Sequence, residues 1–134
     1  MKITFPGGLG VNAAFKGFTV MTDQAEEHGG GGAAPEPFDL FLASLGTCAG
    51  LYALRFCQQR GIETQGLGLT LVTEREPDGK RLALVRLEIE LPAGFPEKYR
   101  EAIVRSVDQC AVKRHIVDPP RFEVLTGAAP VLAE

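Results

Sequence analysis

The side chains best suited to thiol or metal chemistry in this sequence are three cysteines and two histidines. Cys48, Cys57 and Cys110 are too few and too scattered to form the disulfide framework of a small secreted protein. In a reducing compartment such thiols serve as small buried hydrophobes, as ligands or as reactive groups. His28 and His115 lie far apart and no C-x-x-C spacing occurs, so we predict no structural metal and expect both histidines at the surface.

Length and composition predict one soluble globular domain that spans residues 1–134. Hydrophobic residues make up 45% of the 134 and charged residues 23%, which is ordinary for a folded protein. The net charge of −3 gives no electrostatic surface for nucleic acid or for an anionic membrane. The first residues, MKITFPGGLG, lack the apolar core of a secretory signal, so we expect a cytoplasmic protein.

A long helix from about Asp39 to Arg60 is the clearest element in the sequence. Pro37 is suited to the start of such a helix, and Gly61 is suited to the position just after its end. Leu40 to Leu54 are fifteen consecutive uncharged residues, fewer than the roughly 20 needed to span a bilayer, and they are apolar on nearly every side. We therefore predict an enclosed core helix. One small domain can hardly surround it, so we expect a homodimer.

Strand patterns occur on both sides of this helix. Short strands are predicted between Lys2 and Asp23, and a hairpin with one apolar and one solvent-facing side is predicted from Leu67 to Leu91. The segment from Gln24 to Pro37 contains four consecutive glycines and nothing that can pack, so we expect a mobile loop. The fold class is therefore α+β, with antiparallel sheets beside a long buried central helix.

A second helix is predicted to begin near Pro96 and to carry Cys110. Its apolar stripe consists of Ala102, Ile103, Ser106, Val107, Cys110 and Ala111. Arg114 lies four residues beyond Cys110, on the same helix face if the helix continues that far. The proline pair in 118–120 stops the helix, and Arg121 to Leu125 could add a last strand.

Two segments resemble motifs of the OsmC/Ohr family. The residues from Pro37 to Gly50, PFDLFLASLGTCAG, are similar to the family signature, in which a proline and an acidic residue open a buried helix that carries a cysteine. The residues from Cys110 to Arg114, CAVKR, are similar to the family's Cys-Pro-Val-x-Arg on a later helix. The order of predicted elements matches the family over essentially the whole chain. The resemblance implies an OsmC-like fold and an intertwined dimer with active sites at the subunit interface.

The same resemblance implies a thiol peroxidase that reduces organic hydroperoxides. Cys48 would attack the peroxide and become a sulfenic acid, and Cys110 would resolve it as a disulfide. The family's reductants are dithiols, typically lipoyl groups on proteins, and no cofactor is implied. One alternative is an OsmC-like module that binds an apolar or thiol-reactive small molecule without efficient peroxidase activity. Another is a dimerising structural protein.

Attack on a peroxide requires a thiolate, so a cysteine on an apolar helix needs a nearby cation or hydrogen-bond donors. Arg114 is the best local cation and is predicted to reach Cys48 across the pocket. Family members with established peroxidase activity present an arginine from an N-terminal strand, whereas no arginine precedes Arg55 in this chain. Only Lys2 and Lys16 are cationic before the glycine loop, and this difference favours the module without peroxidase activity.

Asp39 is a candidate for the active site and also for helix capping. Relatives place a glutamate ten residues before the first cysteine, where this chain has Phe38. On an unbroken helix the nine steps from Asp39 to Cys48 turn through about 180°, so the two side chains point to opposite sides. Asp39 would then serve the partner subunit or cap the helix. Cys57 also lies about 180° from Cys48 and is predicted to be a small buried hydrophobe.

Overall fold

The structure, a computed structural model, describes residues 1–127 and confirms the α+β class. Two antiparallel sheets and three α-helices lie along these described residues. In chain order they are β1 (Lys2–Gly7), β2 (Gly10–Phe15), β3 (Phe18–Thr22), α1 (Pro37–Gln59), β4 (Gly68–Arg75), β5 (Leu82–Glu90), α2 (Arg100–Val107) and α3 (Ala111–Val117). Single 3-10 turns cover Glu26–His28 and Glu97–Tyr99.

The first sheet consists of β1, β2 and β3, with β2 in the middle and both pairs antiparallel. Its apolar side chains are exposed to an unusual degree, and Ile3, Phe5, Phe18 and Met21 each show about half or more of their surface to solvent. Within the described residues, no strand of this sheet packs extensively on α1 or on the second sheet. Exposed apolar surface of this kind is typical of a surface that another chain covers.

The glycine-rich loop between β3 and α1 is tied down by a buried carboxylate, which corrects the prediction that nothing in it can pack. Oδ1 of Asp23 accepts the Gln24 N–H at 2.8 Å. Its Oδ2 accepts the N–H groups of Gly31 and Ala33, at 3.2 and 3.1 Å. These hydrogen bonds, that from Ala33 above all, lower the pKa of Asp23. Gly30 passes so close to the Gln24 carbonyl that a Cβ there would lie 2.0 Å from its oxygen.

The bounds of α1 confirm the predicted helix and its predicted stop. Pro37 occupies its first turn, where a missing N–H costs nothing. At the other end Gly61 has a φ of 62°, and its N–H donates to the Gln58 carbonyl at 3.2 Å. The Ile62 N–H donates to the Cys57 carbonyl at 3.0 Å. These two hydrogen bonds form a Schellman motif, which satisfies carbonyls that the helix end would otherwise leave free.

The surface of α1 is only partly covered by its own chain. Leu45, Ala49 and Ala53 are buried, whereas Leu51 is 42% exposed and Leu54 is 36% exposed. By length and composition α1 could cross a membrane, since an 18-residue window has a mean hydropathy of 1.5, and 28% of that window is buried inside the chain. The core helix of a soluble protein has the same composition. As the sequence predicted, one subunit does not enclose this helix.

The predicted hairpin is confirmed as β4 and β5, which pair antiparallel from Gly68 opposite Glu90 to Arg75 opposite Leu82. Inward-facing side chains of β5 alternate with exposed ones along most of the strand, as expected. The hairpin packs with α1 and α2 to form the core of the chain. The buried residues of this core are Ala49, Ala53, Phe56, Cys57, Phe95, Ile103 and Val107.

The predicted second helix is in fact two helices. α2 ends at Val107 and α3 begins at Ala111, so the apolar stripe does not continue through Cys110 on one helix. Cys110 has a ψ of 124°, which is extended backbone, and it serves as the N-cap of α3. Ile103 and Val107 of the stripe are buried as predicted. The apolar residues keep their helical spacing across the break because α2 and α3 both pack against α1.

The predicted last strand, from Arg121 to Leu125, is wrong for the single chain. These residues are described, and they form no strand. Phe122 is 82% exposed and Val124 is 95% exposed. A strand needs a neighbouring strand to pair with, and among residues 1–127 no strand pairs with this segment.

Candidate active site

The fold brings the two motif cysteines together from distant parts of the sequence. Cys48 lies near the middle of α1 and is partly buried. Cys110 is 1% exposed and lies at the start of α3, which packs against α1. Both are free thiols, and they lie near enough for each to shift the pKa of the other. The two thiols are therefore neighbours, as a disulfide between them would require.

The first N–H groups of a helix have no acceptor within that helix. In α3 the sulfur of Cys110 is one acceptor, and the Lys113 N–H donates to it at 3.5 Å. The backbone N–H groups of Val112 and Ala111 lower the pKa of Cys48. The partial positive charge of the first turn of α3 therefore acts on both cysteines.

Opposing influences set the pKa of Cys48. Burial is the largest single one and raises the pKa, because it penalises the thiolate. The hydrogen bonds from Val112 N–H, from the Cys110 thiol and from Ala111 N–H all act the other way. With the positive charge of Arg114 they outweigh burial, and the pKa of Cys48 lies below the usual thiol value. Cys48 is thus the sulfur better able to attack as a thiolate.

Cys110 responds in the opposite direction. Burial raises the pKa of Cys110, and the neighbouring Cys48 raises it further through its hydrogen bond and its charge. The N–H groups of Lys113 and Val112 lower it, but not enough to reverse the shift. Of the two thiols, Cys48 therefore loses its proton first as the pH rises, and Cys110 loses its proton later.

Arg114 lies exposed on α3, and its positive charge lowers the pKa of Cys48. Its influence is nevertheless smaller than that of the three hydrogen-bond donors. The predicted geometry also needs correction, because Cys110 precedes α3 and does not share a continuous helix with Arg114.

Sequence reasoning missed the backbone N–H groups of Val112 and Ala111, although the Val112 N–H is the group that lowers the pKa of Cys48 most. Their position depends on the break between α2 and α3. No proline or glycine marks that break, and Asp108 offers the nearest signal, because aspartate competes for backbone hydrogen bonds and favours helix ends. Recognition of Cys110 as an N-cap would have placed the free N–H groups of a helix start beside the two cysteines.

Asp39 lies at the start of α1, where its carboxylate accepts the backbone N–H of Glu36 at 2.9 Å. This contact caps the helix. The carboxylate of Glu36 in turn accepts a hydrogen bond from Nδ1 of His28 at 2.6 Å, and that bond raises the pKa of the exposed His28. Within the described residues no hydrogen bond joins Asp39 to Cys48. A role for Asp39 in the site of a partner subunit stays a prediction.

Cys57 is fully buried in the core between α1 and α2, as its position predicted. Burial raises the pKa of Cys57, and the charge of Arg60 offsets this only in part. A thiol in this state is unreactive.

Two apolar grooves lie on either side of α1. The larger, of about 980 Å³, is lined by residues of α1, β5, α2 and α3, among them Phe41, Leu45, Leu87, Ile103 and Val117. The smaller, of about 600 Å³, lies between α1 and β4. The lining of these two grooves includes neither Cys48 nor Cys110. No cluster of three or more potential metal ligands occurs among residues 1–127.

Comparison with known proteins agrees with this geometry. One solved structure, an osmotic stress induced and detoxification response protein of Psychrobacter arcticus 273-4, is 22% identical, with a TM-score of 0.71 over 84% of each chain. Another, an organic hydroperoxide resistance protein OsmC of Legionella pneumophila, is 20% identical, with a TM-score of 0.56 over 86% of this chain and 85% of that one. These similarities show the fold. No curated protein matches the sequence significantly.

The family assignment rests on the sequence itself. Residues 29–124 match the model of the OsmC-like protein family, and this range includes the four consecutive glycines, α1 and both motif cysteines. The chain therefore belongs to the OsmC-like protein family.

Proposed function

We propose that this protein is a thiol-dependent peroxidase that reduces organic hydroperoxides through Cys48 and Cys110. One observation carries the proposal: the packing of α1 against α3 places the two thiols beside each other, and their pKa values move apart, that of Cys48 downward and that of Cys110 upward. Pairs of titratable groups with diverging pKa values mark acid and base roles. Here the pattern supports a nucleophile beside a protonated partner.

The proposed reaction follows from the different roles of the two thiols. The Cys48 thiolate attacks one peroxide oxygen, so that an S–O bond forms, the O–O bond breaks and the departing alkoxide takes a proton to leave as an alcohol. The sulfur of Cys110 then attacks the Cys48 sulfenic acid and loses its own proton. A disulfide and water result. An external dithiol, for which we propose a lipoyl group, reduces the disulfide and restores both thiols.

The alternative function is a small-molecule-binding module without efficient peroxidase activity. The observation in its favour concerns Lys2 and Lys16, the only lysine or arginine residues before the glycine-rich loop. Lys2 lies exposed in β1, and Lys16 lies exposed in the turn between β2 and β3. No arginine from that sheet is available to stabilise the leaving alkoxide. The apolar grooves beside α1 would then hold the ligand.

A homodimer is part of the proposal. It would cover the apolar residues of the N-terminal sheet and the exposed side of α1, including Leu51. Leu51→Glu should therefore weaken dimerisation, whereas Gln58→Glu, which adds the same charge near the end of the helix, should not. Sedimentation that shows a stable monomer of the native protein at micromolar concentration would contradict the dimer. We also propose that the protein works in the cytoplasm, where its thiols stay reduced.

Titration of the reduced protein with equimolar cumene hydroperoxide tests the peroxidase. The native protein should form the disulfide between Cys48 and Cys110, which peptide mass spectrometry detects. Cys110→Ser should consume one equivalent and stop as a sulfenic acid, and Cys48→Ser should consume none. Cys57→Ser is the matched control and should behave as the native protein. Equal peroxide consumption by Cys48→Ser and the native protein would refute the proposal.

A further inference from the structure

We propose that His28 and Glu36 form a pH-sensitive latch on the glycine-rich loop between β3 and α1. The latch holds the loop while His28 is protonated and loosens as His28 becomes neutral. The inference goes beyond the proposed peroxidase and does not depend on it, because it concerns neither of the motif cysteines. The side chain of His28 is 56% exposed, so solvent protons reach the ring, yet one of its nitrogens is bound to the protein.

The latch closes on a single carboxylate oxygen. Oε1 of Glu36 accepts the Ala25 N–H at 3.0 Å and a hydrogen bond from Nδ1 of His28 at 2.6 Å. Glu36 itself is fixed at the start of α1, because its N–H donates to the Asp39 carboxylate at 2.9 Å. Ala25 and His28 belong to the first half of the loop. The two contacts therefore tie this half of the loop to the residue that precedes α1.

The segment that these contacts close contains the four glycines. The Gly30 N–H donates to the Ala25 carbonyl at 3.1 Å, and the Gly32 N–H donates to the Gln24 carbonyl at 3.0 Å. The backbone thus folds back onto the residues beside the latch. Glycine loses more conformational freedom on ordering than any other residue. A weaker contact to Glu36 should therefore let the glycine run open.

Protonation of His28 changes the strength of the latch. A carboxylate oxygen only accepts hydrogen bonds, so Nδ1 is the donor in the neutral ring as well as in the protonated one. In the protonated ring the same hydrogen bond joins opposite charges and is roughly twice as strong. The hydrogen bond to Glu36 raises the pKa of His28, and it lowers the pKa of Glu36.

The direction of the pH dependence follows from these two shifts. Because the pKa of His28 is raised, its contribution is complete below the ordinary histidine value and is lost as the pH rises through the raised value. Because the pKa of Glu36 is lowered, its contribution is complete above the ordinary carboxyl value and is lost as the pH falls through the lowered value. The latch is therefore firmest in mildly acidic solution and loosens above neutral pH.

Other charged groups face the latch from the loop and from α1. Oε1 of Glu27 lies 3.9 Å from Nε2 of His28, and its charge raises the pKa of His28 less than Glu36 does. The carboxylate of Asp39 binds the backbone of Glu36, and that of Asp23 binds N–H groups farther along the loop. Among residues 1–127, His28 is the only side chain that forms an ion pair with Glu36. Single substitutions can therefore remove this pair and leave the other carboxylates in place.

Amide exchange with water, followed by NMR at about pH 5.5 and about pH 8.5, tests the proposal. After correction for the pH dependence of exchange itself, protection of the Ala25 N–H and of the glycine N–H groups should be about two- to fivefold lower at the higher pH. Glu36→Gln keeps an acceptor oxygen without the charge, and His28→Gln keeps an N–H donor without the charge. Both variants should show the lower protection at both pH values. Glu27→Gln is the matched control, because it removes an equal charge from the same loop, and it should retain the native change.

Two results would overturn the proposal. One is equal protection of the native loop at both pH values. The other is a native pH dependence that persists in Glu36→Gln or in His28→Gln, which would place the sensor elsewhere. Circular dichroism shows whether α1 stays folded in each variant, and His28→Gln, which changes an exposed side chain, keeps the test decisive if Glu36→Gln unfolds. No peroxide enters the experiment, so its outcome and that of the peroxidase assay are independent.

Discussion

Replacement of Cys110 by alanine or by serine separates its two expected roles. Both substitutions remove the resolving thiol, but serine keeps an O–H that can donate to the Cys48 thiolate. Serine also keeps an N-cap oxygen for the Lys113 N–H, which the Cys110 sulfur now accepts at 3.5 Å. We therefore expect a raised pKa of Cys48 in Cys110→Ala and a nearly native one in Cys110→Ser.

The size of the shift follows from the lost hydrogen bond. A hydrogen bond to a charged group contributes roughly 1.5–3 kcal/mol, and one pKa unit corresponds to about 1.36 kcal/mol, which gives about one to two units. The thiol is a weak donor and Cys48 is only partly buried, so water can replace part of the bond. We therefore expect a rise of about one unit, or about tenfold less thiolate on the acidic side of the transition.

The assay is the rate of iodoacetamide alkylation at Cys48 as a function of pH. Since the pKa of Cys48 rises in Cys110→Ala, its rate should fall most in acidic and neutral solution and should approach the serine variant at alkaline pH. The melting temperature of both variants shows whether loss of the cap has unfolded α3. Equal midpoints in the alanine and serine variants would refute the hydrogen bond between the two sulfurs.

Three further predictions concern stability and charge. Ile103→Ala should lower the free energy of unfolding by about 2–5 kcal/mol in a denaturant titration, because Ile103 is 1% exposed. Glu101→Ala, at an exposed position, should change the free energy of unfolding by less than about 0.5 kcal/mol. Gly30→Ala should lower the melting temperature, because the new Cβ would collide with the Gln24 backbone. Gly127→Ala, at a position with open space, should leave the melting temperature unchanged. Equal melting temperatures of the two variants would refute the close approach of Gly30 to Gln24. Arg114→Ala should slow alkylation of Cys48 only about two- to threefold, and added salt should remove the difference. A tenfold loss would mean that the arginine is the main activator after all.

Elements with a strong local pattern could be predicted from the sequence. Fifteen uncharged residues between a proline and a glycine leave few alternatives to the helix α1. The alternation from Val85 to Leu91 gave the inward face of β5 in the same way. The resemblance of two segments to the OsmC/Ohr motifs was what singled out Cys48 and Cys110 as a pair.

Features that depend on tertiary contacts could not be predicted. A run of four glycines indicates flexibility, and nothing local shows that the buried carboxylate of Asp23 binds the backbone around it. Likewise, the apolar spacing through 102–111 is the same for one helix and for two helices that pack on a common partner. The backbone donors to Cys48 depended on that break, and so they were missed.

In the proposed peroxidase reaction, the absence of an arginine before Arg55 matters more for the departing alkoxide than for formation of the Cys48 thiolate. Formation of the Cys48 thiolate depends mainly on N–H groups and a thiol at short range, and these are not screened by salt as the charge of Arg114 is. The departing alkoxide also needs stabilisation, and hydrogen bonds already directed at the sulfur do not supply it. Fast alkylation with slow reduction of cumene hydroperoxide would therefore identify the non-peroxidase module, whereas fast reaction in both assays would show that other groups stabilise the leaving oxygen.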